Sequence, residues 1–184
     1  MLFKSRRKHF IISGHLFINE TIIESVQSTS FLGIRIDENL TWKNHIDIVC
    51  NSLSKKIGIL YRLRHFVSRK IMVMLYKSFI LPHITYGLEV WGAACKTNLN
   101  PILMLQKRMA RVITFKGARY HSAPLFYDLK VLDIFKEYRY VIGIFMHDII
   151  YNHLPHTLYD YFSMPEHRYQ TRNKRKFLFM FFNE

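Results

Sequence analysis

The pattern of apolar and polar positions changes near residue 37. Before that point the chain holds short apolar runs separated by turn-forming residues, a pattern that indicates β-strands. Turns are predicted at Ser13-Gly14 and at Asn19-Glu20, the second of which closes a hairpin. Strands are predicted at residues 9–12, 16–18, 22–23 and 31–36. Three or four short strands cannot form a domain alone. We therefore expect them to be the edge of a sheet whose other strands are missing, or of a sheet whose open face is covered by a helix.

After Asp37 the spacing of apolar residues becomes helical. Thr41 is a predicted N-cap, and apolar residues then recur at steps of three and four for more than twenty positions. This stripe consists of Trp42, Ile46, Val49, Leu53, Ile57, Leu60 and Leu63. The sequence therefore predicts one long amphipathic helix directly after the strands.

A second helix is predicted from an N-cap at Ser68, with a break or kink near Leu81 because Pro82 cannot donate a backbone hydrogen bond. Its predicted apolar face carries Ile71, Leu75, Ser78 and Phe79.

Further helices are predicted from Asn100-Pro101 to Gly117, from Ser122, and from Leu132-Asp133 to Leu154-Pro155. The stripe of the first of these contains Ile102, Leu105, Met109 and Val112. The last helix is apolar nearly all round, so we expect it to be the central buried helix. The predicted fold class is mostly α, a helical bundle with a small N-terminal antiparallel β segment.

Composition adds a strong positive charge to this picture. The 184 residues are 49% hydrophobic, enough for one domain with a core, and carry a net charge of +14. Such an excess favours a polyanionic partner, either nucleic acid or an anionic membrane surface. The sequence shows no secretory signal and no apolar run of membrane-spanning length. The two cysteines, Cys50 and Cys95, fit two buried free thiols in a reducing compartment. We therefore expect an intracellular protein, cytoplasmic or nuclear.

The positive charge is concentrated in stretches without acidic residues, at residues 48–88, 90–127 and 167–182. Solvated helices usually mix both signs, so single-sign faces indicate binding to a phosphate backbone. The candidate nucleic-acid-binding residues are Lys55, Lys56, Arg62, Arg64, Arg69, Lys70, Lys107, Arg108, Arg111 and Arg172.

Candidate catalytic chemistry is sparse. Asp37-Glu38 is the one adjacent acidic pair, and its position just before a predicted helix explains it without a metal. His153 and His156 are close in sequence, but no acidic or cysteine ligand lies near them in the pattern, so we expect no metal site and no catalytic residue. Tyr76, Tyr86 and Trp91 have helical spacing and are expected in the core. His45, His121 and His167 are expected to form caps or hydrogen bonds.

Seven short segments form an ordered set along the chain: FLGIRID (31–37), LTWKNHI (40–46), LYKSFILPHITYG (75–87), VWG (90–92), LQKRMARVIT (105–114), HSAPLF (121–126) and HRYQTR (167–172). In this order they resemble segments of non-LTR (LINE-type, jockey-like) retrotransposon reverse transcriptases. The first two resemble the stretch just after the catalytic core of that family, the next four resemble its thumb or continue in the same order, and the last matches a short element beyond the thumb.

The resemblance implies a division into a palm-end β remnant (1–36), a helical thumb-like bundle (37–160) and a basic, poorly ordered tail (161–184). It implies a primer-grip-like element at Phe31, Leu32 and Gly33, and RNA, RNA–DNA hybrid or DNA duplex as partners. The family's catalytic aspartates lie upstream of Phe31, so Mg²⁺ is implied only for the complete polymerase. We therefore expect no polymerisation by this chain alone, and the absent palm and fingers become a further expected partner.

Two other hypotheses remain open. The aromatic content of 15% and the apolar run at residues 177–182 also fit a helical module that contacts a protein or a membrane. Alternatively, the chain is a non-functional remnant of a mobile element, and its exposed strand edges would then promote aggregation.

Overall fold

A computed structural model describes residues 1–4 and 16–162 of the chain. The predicted strand 9–12 with its Ser13-Gly14 turn, Arg172 and the apolar run 177–182 lie outside the described residues. The chain forms two compact units, residues 1–138 and residues 139–184. The first contains all described strands and six helices, and the second contains most of the last long helix and a short 3-10 helix.

The first described strands confirm the predicted hairpin. Strands β1 (Leu16–Ile18) and β2 (Thr21–Ile23) pair antiparallel, with Phe17 opposite Ile22. The two connecting residues, Asn19 and Glu20, both have positive φ angles, of 46° and 66°. Such a pair makes a two-residue turn whose twist matches that of the flanking strands.

The predicted single strand at 31–36 is wrong, because the chain reverses within it. Strands β3 (Ser28–Phe31) and β4 (Ile34–Asp37) form a second antiparallel hairpin, with Phe31 opposite Ile34. Leu32 and Gly33 occupy the turn with φ angles of 47° and 78°. Gly33 was an available signal for this turn, but Leu32 beside it concealed the turn, since leucine is rarely a turn residue.

Helix α1 (Lys43–Leu63) follows the second hairpin and carries the predicted stripe, which is buried except at Leu63. The predicted cap at Thr41 is one residue early, because Trp42 is the N-cap, in a left-handed conformation with φ 62°. Among the described residues, no side-chain hydrogen bond caps α1. The carboxylate of Asp37 instead fixes the turn that leads into the helix. Its oxygens accept hydrogen bonds from the backbone N–H groups of Thr41 and Trp42, each at 2.9 Å.

The next helical stretch is continuous but changes its winding before Pro82. Helix α2 (Arg69–Leu75) leads into a π-helical segment (Tyr76–Ile80) and then helix α3 (Leu81–Thr85). The predicted cap is confirmed, since the Ser68 hydroxyl accepts a hydrogen bond from the backbone N–H of Ile71. The wider π turn accommodates the proline, which has no N–H to donate, so the helix persists past Leu81 instead of breaking.

The apolar face predicted for this stretch is displaced by one position. The four buried positions are Met72, Tyr76, Ile80 and Ile84, whereas Ile71, Ser78 and Phe79 are exposed and Leu75 is half-buried. The displacement is already present at Met72, before the π segment begins, so the predicted face was out of phase by one position from its start.

Helix α4 (Leu88–Trp91) is short, and helix α5 (Lys96–Ile113) begins four residues before Asn100, so Pro101 lies inside it. The predicted start is therefore wrong, since buried Leu99 extends the apolar stripe N-terminally. The predicted end at Gly117 is also late, because Phe115 already adopts the left-handed conformation that ends a helix, with φ 56°.

The last helices are α6 (Ala123–Leu129), opened by Ser122 as predicted, α7 (Ile134–Ile150) and a 3-10 helix (His156–Tyr161). Helix α7 begins within the first unit and continues in the second. The expectation that it is the central buried helix is wrong, because Tyr140 is 57% and Ile144 45% exposed. Most of the best-buried residues come instead from α1, the α2–α3 stretch, α4 and α5, although Ile134 at the first position of α7 is also buried.

A buried polar residue ties α5 to its neighbours in the first unit. The side-chain amide of Gln106 donates hydrogen bonds to the Tyr76 hydroxyl at 3.2 Å and the Leu132 carbonyl at 3.3 Å. Its carbonyl oxygen accepts one from the backbone N–H of Ile134 at 2.8 Å. Burial raises the pKa of Tyr76 to about 12, so the hydroxyl stays protonated.

The predicted fold class, mostly α with a small antiparallel β segment, is confirmed.

Candidate nucleic-acid interface

One groove in the first unit brings together basic side chains from separate parts of the sequence. It has a volume of about 440 Å³ and lies between the C-terminal end of α1 and the second half of α5. Arg64, Arg108, Arg111 and Lys116 line it together with apolar side chains and Tyr61, and none of its lining residues is acidic. The groove is therefore cationic with a partly apolar floor.

Two of these cations are held in place by neighbouring groups. The guanidinium of Arg64 lies over the Tyr61 ring at 4.4 Å and over the Phe115 ring at 5.5 Å. The Nε of Arg111 donates a hydrogen bond to the carbonyl oxygen of Tyr120 at 2.9 Å. Stacking and a single backbone contact orient an arginine while leaving other N–H donors open to a ligand.

The other two cations are more exposed. The ammonium of Lys116 lies 5.1 Å from the Tyr120 ring centre. Arg108 is exposed and has no hydrogen-bond or ion-pair partner among the described residues. Four cations converging on one groove repel each other, and a bound polyanion would relieve that repulsion.

The structure thus places three predicted residues, Arg64, Arg108 and Arg111, in one site. Lys116 was not selected from the sequence, because its predicted position near the end of a helix did not show that it faces Arg108 and Arg111. Its position in an acid-free stretch was the available signal.

The remaining candidates on α1 and α5 lie outside this groove. Lys55 and Arg62 are exposed on α1, and Lys107 is half-buried on α5. Lys56 donates a hydrogen bond to the Ser52 hydroxyl at 3.1 Å and lies 5.2 Å from the Phe79 ring centre. Partial burial lowers the pKa of Lys56.

The two candidates on α2 differ in their surroundings. Arg69 forms an ion pair with Asp128, which neutralises part of its charge. Lys70 lines a second, shallow groove of about 810 Å³ that also contains Lys77 and no acidic residue. Lys77 is a further cation that the sequence argument did not select.

The predicted primer-grip-like residues form the tip of the β3–β4 hairpin. Phe31 and Leu32 are 63% and 72% exposed. The Tyr86 hydroxyl donates a hydrogen bond to the carbonyl oxygen of Leu32 at 2.7 Å, and the Tyr86 ring lies beside Gly33. Because Tyr86 is 57% exposed, the expectation that it belongs to the core is wrong, while Tyr76 and Trp91 are buried as expected.

The side chains of the adjacent acidic residues Asp37 and Glu38 both make contacts within the fold. Burial raises the pKa of Asp37, but hydrogen bonds from Thr41, Trp42 and Asn39 outweigh it and leave the pKa lowered. Glu38 forms an ion pair with Lys4 at 3.0 Å.

His45 is buried, and its Nδ1 accepts a hydrogen bond from the backbone N–H of Arg35 at 3.3 Å. Burial lowers the pKa of His45, which favours the neutral ring that this bond requires. The hydrogen-bonding role predicted for His45 is thus confirmed, and His167 lies outside the described residues.

The expectation of two buried thiols is wrong for Cys95, which is exposed, while Cys50 is half-buried.

Comparison with known proteins gives the family context of this surface. The chain is 28% identical over 125 residues to a probable RNA-directed DNA polymerase from transposon X-element of Drosophila melanogaster, covering 66% of the chain and 14% of that protein. It is 32% identical over 117 residues to the RNA-directed DNA polymerase from mobile element jockey of the same organism, covering 62% of the chain and 13% of that protein.

The resemblance to jockey-like retrotransposon reverse transcriptases is confirmed. This reverse-transcriptase-like chain spans only about one-seventh of the length of the relatives that it matches. No protein-family model matches it, and no solved structure matches it significantly. Within the described ranges, no helix is both long and apolar enough to cross a membrane.

Proposed function

We propose that the chain is a thumb-like segment of a retrotransposon reverse transcriptase that binds the template–primer duplex through basic helices and does not polymerise DNA by itself. The observation that carries this proposal is the cationic groove lined by Arg64, Arg108, Arg111 and Lys116. In this proposal, residues 1–36 represent the end of the palm, 37–160 the thumb and 161–184 a basic tail.

The chemistry of the groove fits a phosphate backbone. Arginine and lysine contact phosphate oxygens without reading base sequence, and such contacts make up most of a polymerase-like grip on a duplex. The apolar floor and the stacked Arg64 can also contact sugar edges. Because side chains cannot read the narrow major groove of an A-form-like helix, recognition would depend on shape and phosphate position. We therefore expect an RNA–DNA hybrid to bind with weak sequence preference.

Salt titration tests this proposal. Four phosphate contacts give a slope of roughly −3 to −4 in a plot of log affinity against log salt, or about a 100-fold loss between 50 and 200 mM salt. The measurement is fluorescence anisotropy of a labelled 20-base-pair hybrid titrated with the full chain, with Mg²⁺ and nucleotides then added to the same sample. Salt-sensitive binding without primer extension is expected. Absence of binding by a folded, helical protein would reject the proposal, and primer extension would reject the non-catalytic assignment.

A second candidate function is protein contact through the β1–β2 hairpin. Phe17, Ile18 and Ile22 are 60%, 63% and 53% exposed, and an isolated two-stranded hairpin is marginally stable in water. Exposed apolar residues on both strands indicate a surface that packs against further protein. In a reverse transcriptase that partner would be the palm and fingers portion of the polyprotein.

Binding to a separately expressed palm–fingers segment of a jockey-type polymerase tests this second function. Phe17→Ser should weaken the complex at least about tenfold, because one buried aromatic anchor contributes more than 1 kcal/mol to an interface. Tyr127→Ser, at a 90% exposed position on α6, is the matched control and should leave binding unchanged. Equal effects of the two substitutions would assign the interface elsewhere.

A further inference from the structure

Three potential metal ligands meet in the second unit, at the end of α7. His147 and Asp148 lie in the last turn of the helix, and His153 lies just after it. Asp148 Oδ1 is 3.2 Å from the Nδ1 of His147 and 3.4 Å from the Nδ1 of His153. One ligand atom from each residue lies within 4.8 Å of the other two. Spacing in the sequence singled out His153 and His156, whereas the structure groups His153 with Asp148 and His147 instead.

These separations match the coordination sphere of zinc. Zinc bonds to histidine nitrogen and carboxylate oxygen are about 2.0–2.2 Å long, so neighbouring ligand atoms of a tetrahedral site are roughly 3.4 Å apart. Two imidazoles and one carboxylate are also a donor set that zinc and its first-row neighbours favour over Mg²⁺ or Ca²⁺. The ligand atoms of the two histidines lie within 4.8 Å of each other, so this pair would have to close up around the ion.

The backbone around the cluster is fixed before any ion binds. The backbone N–H of His153 donates a hydrogen bond to the carbonyl oxygen of Asp148 at 2.8 Å, and Asn152 adopts a left-handed conformation with φ 59°. The His147 and Tyr151 rings lie 4.4 Å apart, which restricts the His147 ring. A preorganised set of ligands loses less conformational entropy when it captures an ion.

The cluster is accessible to an ion from solution. All three side chains reach solvent, with 57%, 32% and 60% of the His147, Asp148 and His153 side chains exposed. A bound ion would keep a coordination position open to water or to a further ligand.

We propose that His147, Asp148 and His153 bind one divalent transition-metal ion, of the zinc class, and that this ion fastens the turn at residues 150–153 to the end of α7. This site is separate from the cationic groove of the first unit and goes beyond the proposed binding of nucleic acid. The simpler alternative is that the two histidines only donate hydrogen bonds to the carboxylate. The two differ in one measurable property, namely stoichiometric metal capture by these three side chains.

Cobalt titration of the full chain distinguishes the alternatives. Co²⁺ replaces zinc in such sites, and its visible absorption is strong only at low coordination number. One Co²⁺ per chain with this strong absorption, displaced by an equivalent of Zn²⁺, is the expected result. Asp148→Asn and His153→Gln should each weaken binding by about 100-fold or more, since even outer-shell changes cost 10- to 100-fold.

His121→Gln is the matched control, because His121 is an exposed histidine outside the cluster. It should retain the affinity and spectrum of the unsubstituted chain, and circular dichroism should show that every variant keeps its helix content. The proposal is overturned if the chain takes up no Co²⁺ at micromolar concentration. It is also overturned if Asp148→Asn and His153→Gln bind as well as His121→Gln does, because the ion would then be held by other histidines.

Discussion

The Tyr86 hydroxyl donates a hydrogen bond to the backbone carbonyl of Leu32, 2.7 Å away, and so connects the end of α3 to the tip of the β3–β4 hairpin. A backbone carbonyl as acceptor makes the contact insensitive to the side chain at position 32. The exposed residues at the tip are thereby held at a defined place beside the helices. If residues 31–33 act as a primer-grip-like element, this bond sets their position.

Tyr86→Phe removes only that bond. We expect a loss of about 0.5–1 kcal/mol in the free energy of unfolding, because the site is half open to water and water replaces part of the contact. Urea unfolding followed by circular dichroism measures the change. Tyr127→Phe, at a 90% exposed residue, is the control and should cost nothing measurable. An unchanged stability for Tyr86→Phe would show that the bond does not hold the hairpin in solution.

Asp37→Asn tests the turn that leads into α1. The asparagine side chain can accept only one of the two backbone hydrogen bonds and carries no charge, so stability should fall by about 1–2 kcal/mol at pH 7. Glu38→Gln, which weakens only the partly exposed ion pair with Lys4, should cost no more than about 0.5 kcal/mol. Urea unfolding of both variants gives the comparison, and equal losses would contradict the role of Asp37 in this turn.

The same substitution has a pH signature. The folded-state pKa of Asp37 is lowered, so its stabilising contribution is present above the unfolded value of about 3.9 and is lost as pH falls through the folded pKa. The difference in stability between the unsubstituted chain and Asp37→Asn should therefore be constant at neutral pH and shrink below about pH 4. A difference that grows on acidification would contradict the lowered pKa.

Two glycines give opposite predictions. A Cβ on Gly92 would lie 2.5 Å from the Leu88 carbonyl oxygen and would also overlap the Tyr138 ring, so Gly92→Ala should destabilise the chain by roughly 2–3 kcal/mol. A Cβ on Gly58, inside α1, would meet nothing within 4 Å, so Gly58→Ala should stabilise the chain by about 0.5–1 kcal/mol through helix propensity. Thermal unfolding of both variants tests the pair, and shifts of the same sign would show that the packing around Gly92 is misassigned.

The elements that could be predicted from sequence are those whose signal is local and long. The stripe of α1 repeats over six turns, so its burial follows from spacing alone. The turn at Leu32-Gly33 was missed because leucine is rarely a turn residue, although Gly33 was an available signal. The π segment before Pro82 was missed because no residue of Tyr76–Ile80 distinguishes a π-helix from an α-helix. The burial of α7 was misjudged because apolar residues all round a helix show only that it can be buried.

The residues of the candidate site could be predicted from the sequence, but their grouping into one groove could not. The acid-free stretches identified the cations, but only the packing of α1 against α5 shows that Arg64 and Arg108 share a groove while Lys107 lies outside it. The ion pair of Arg69 with Asp128 joins distant positions that no local pattern connects. The His147–Asp148–His153 cluster depends on the turn after α7, which reverses the chain at Asn152.

The most direct test of the central claim compares two charge reversals on the same helix. Arg108→Glu and Lys96→Glu both replace an exposed cation of α5 and change the net charge equally, but only Arg108 lines the groove. In hybrid-binding titrations, Arg108→Glu should weaken binding roughly tenfold near 100 mM salt and reduce the salt slope by about 1, whereas Lys96→Glu should change affinity less than about twofold. Equal losses for the two variants, or no loss for Arg108→Glu, would contradict the assignment of this groove as the duplex-binding surface.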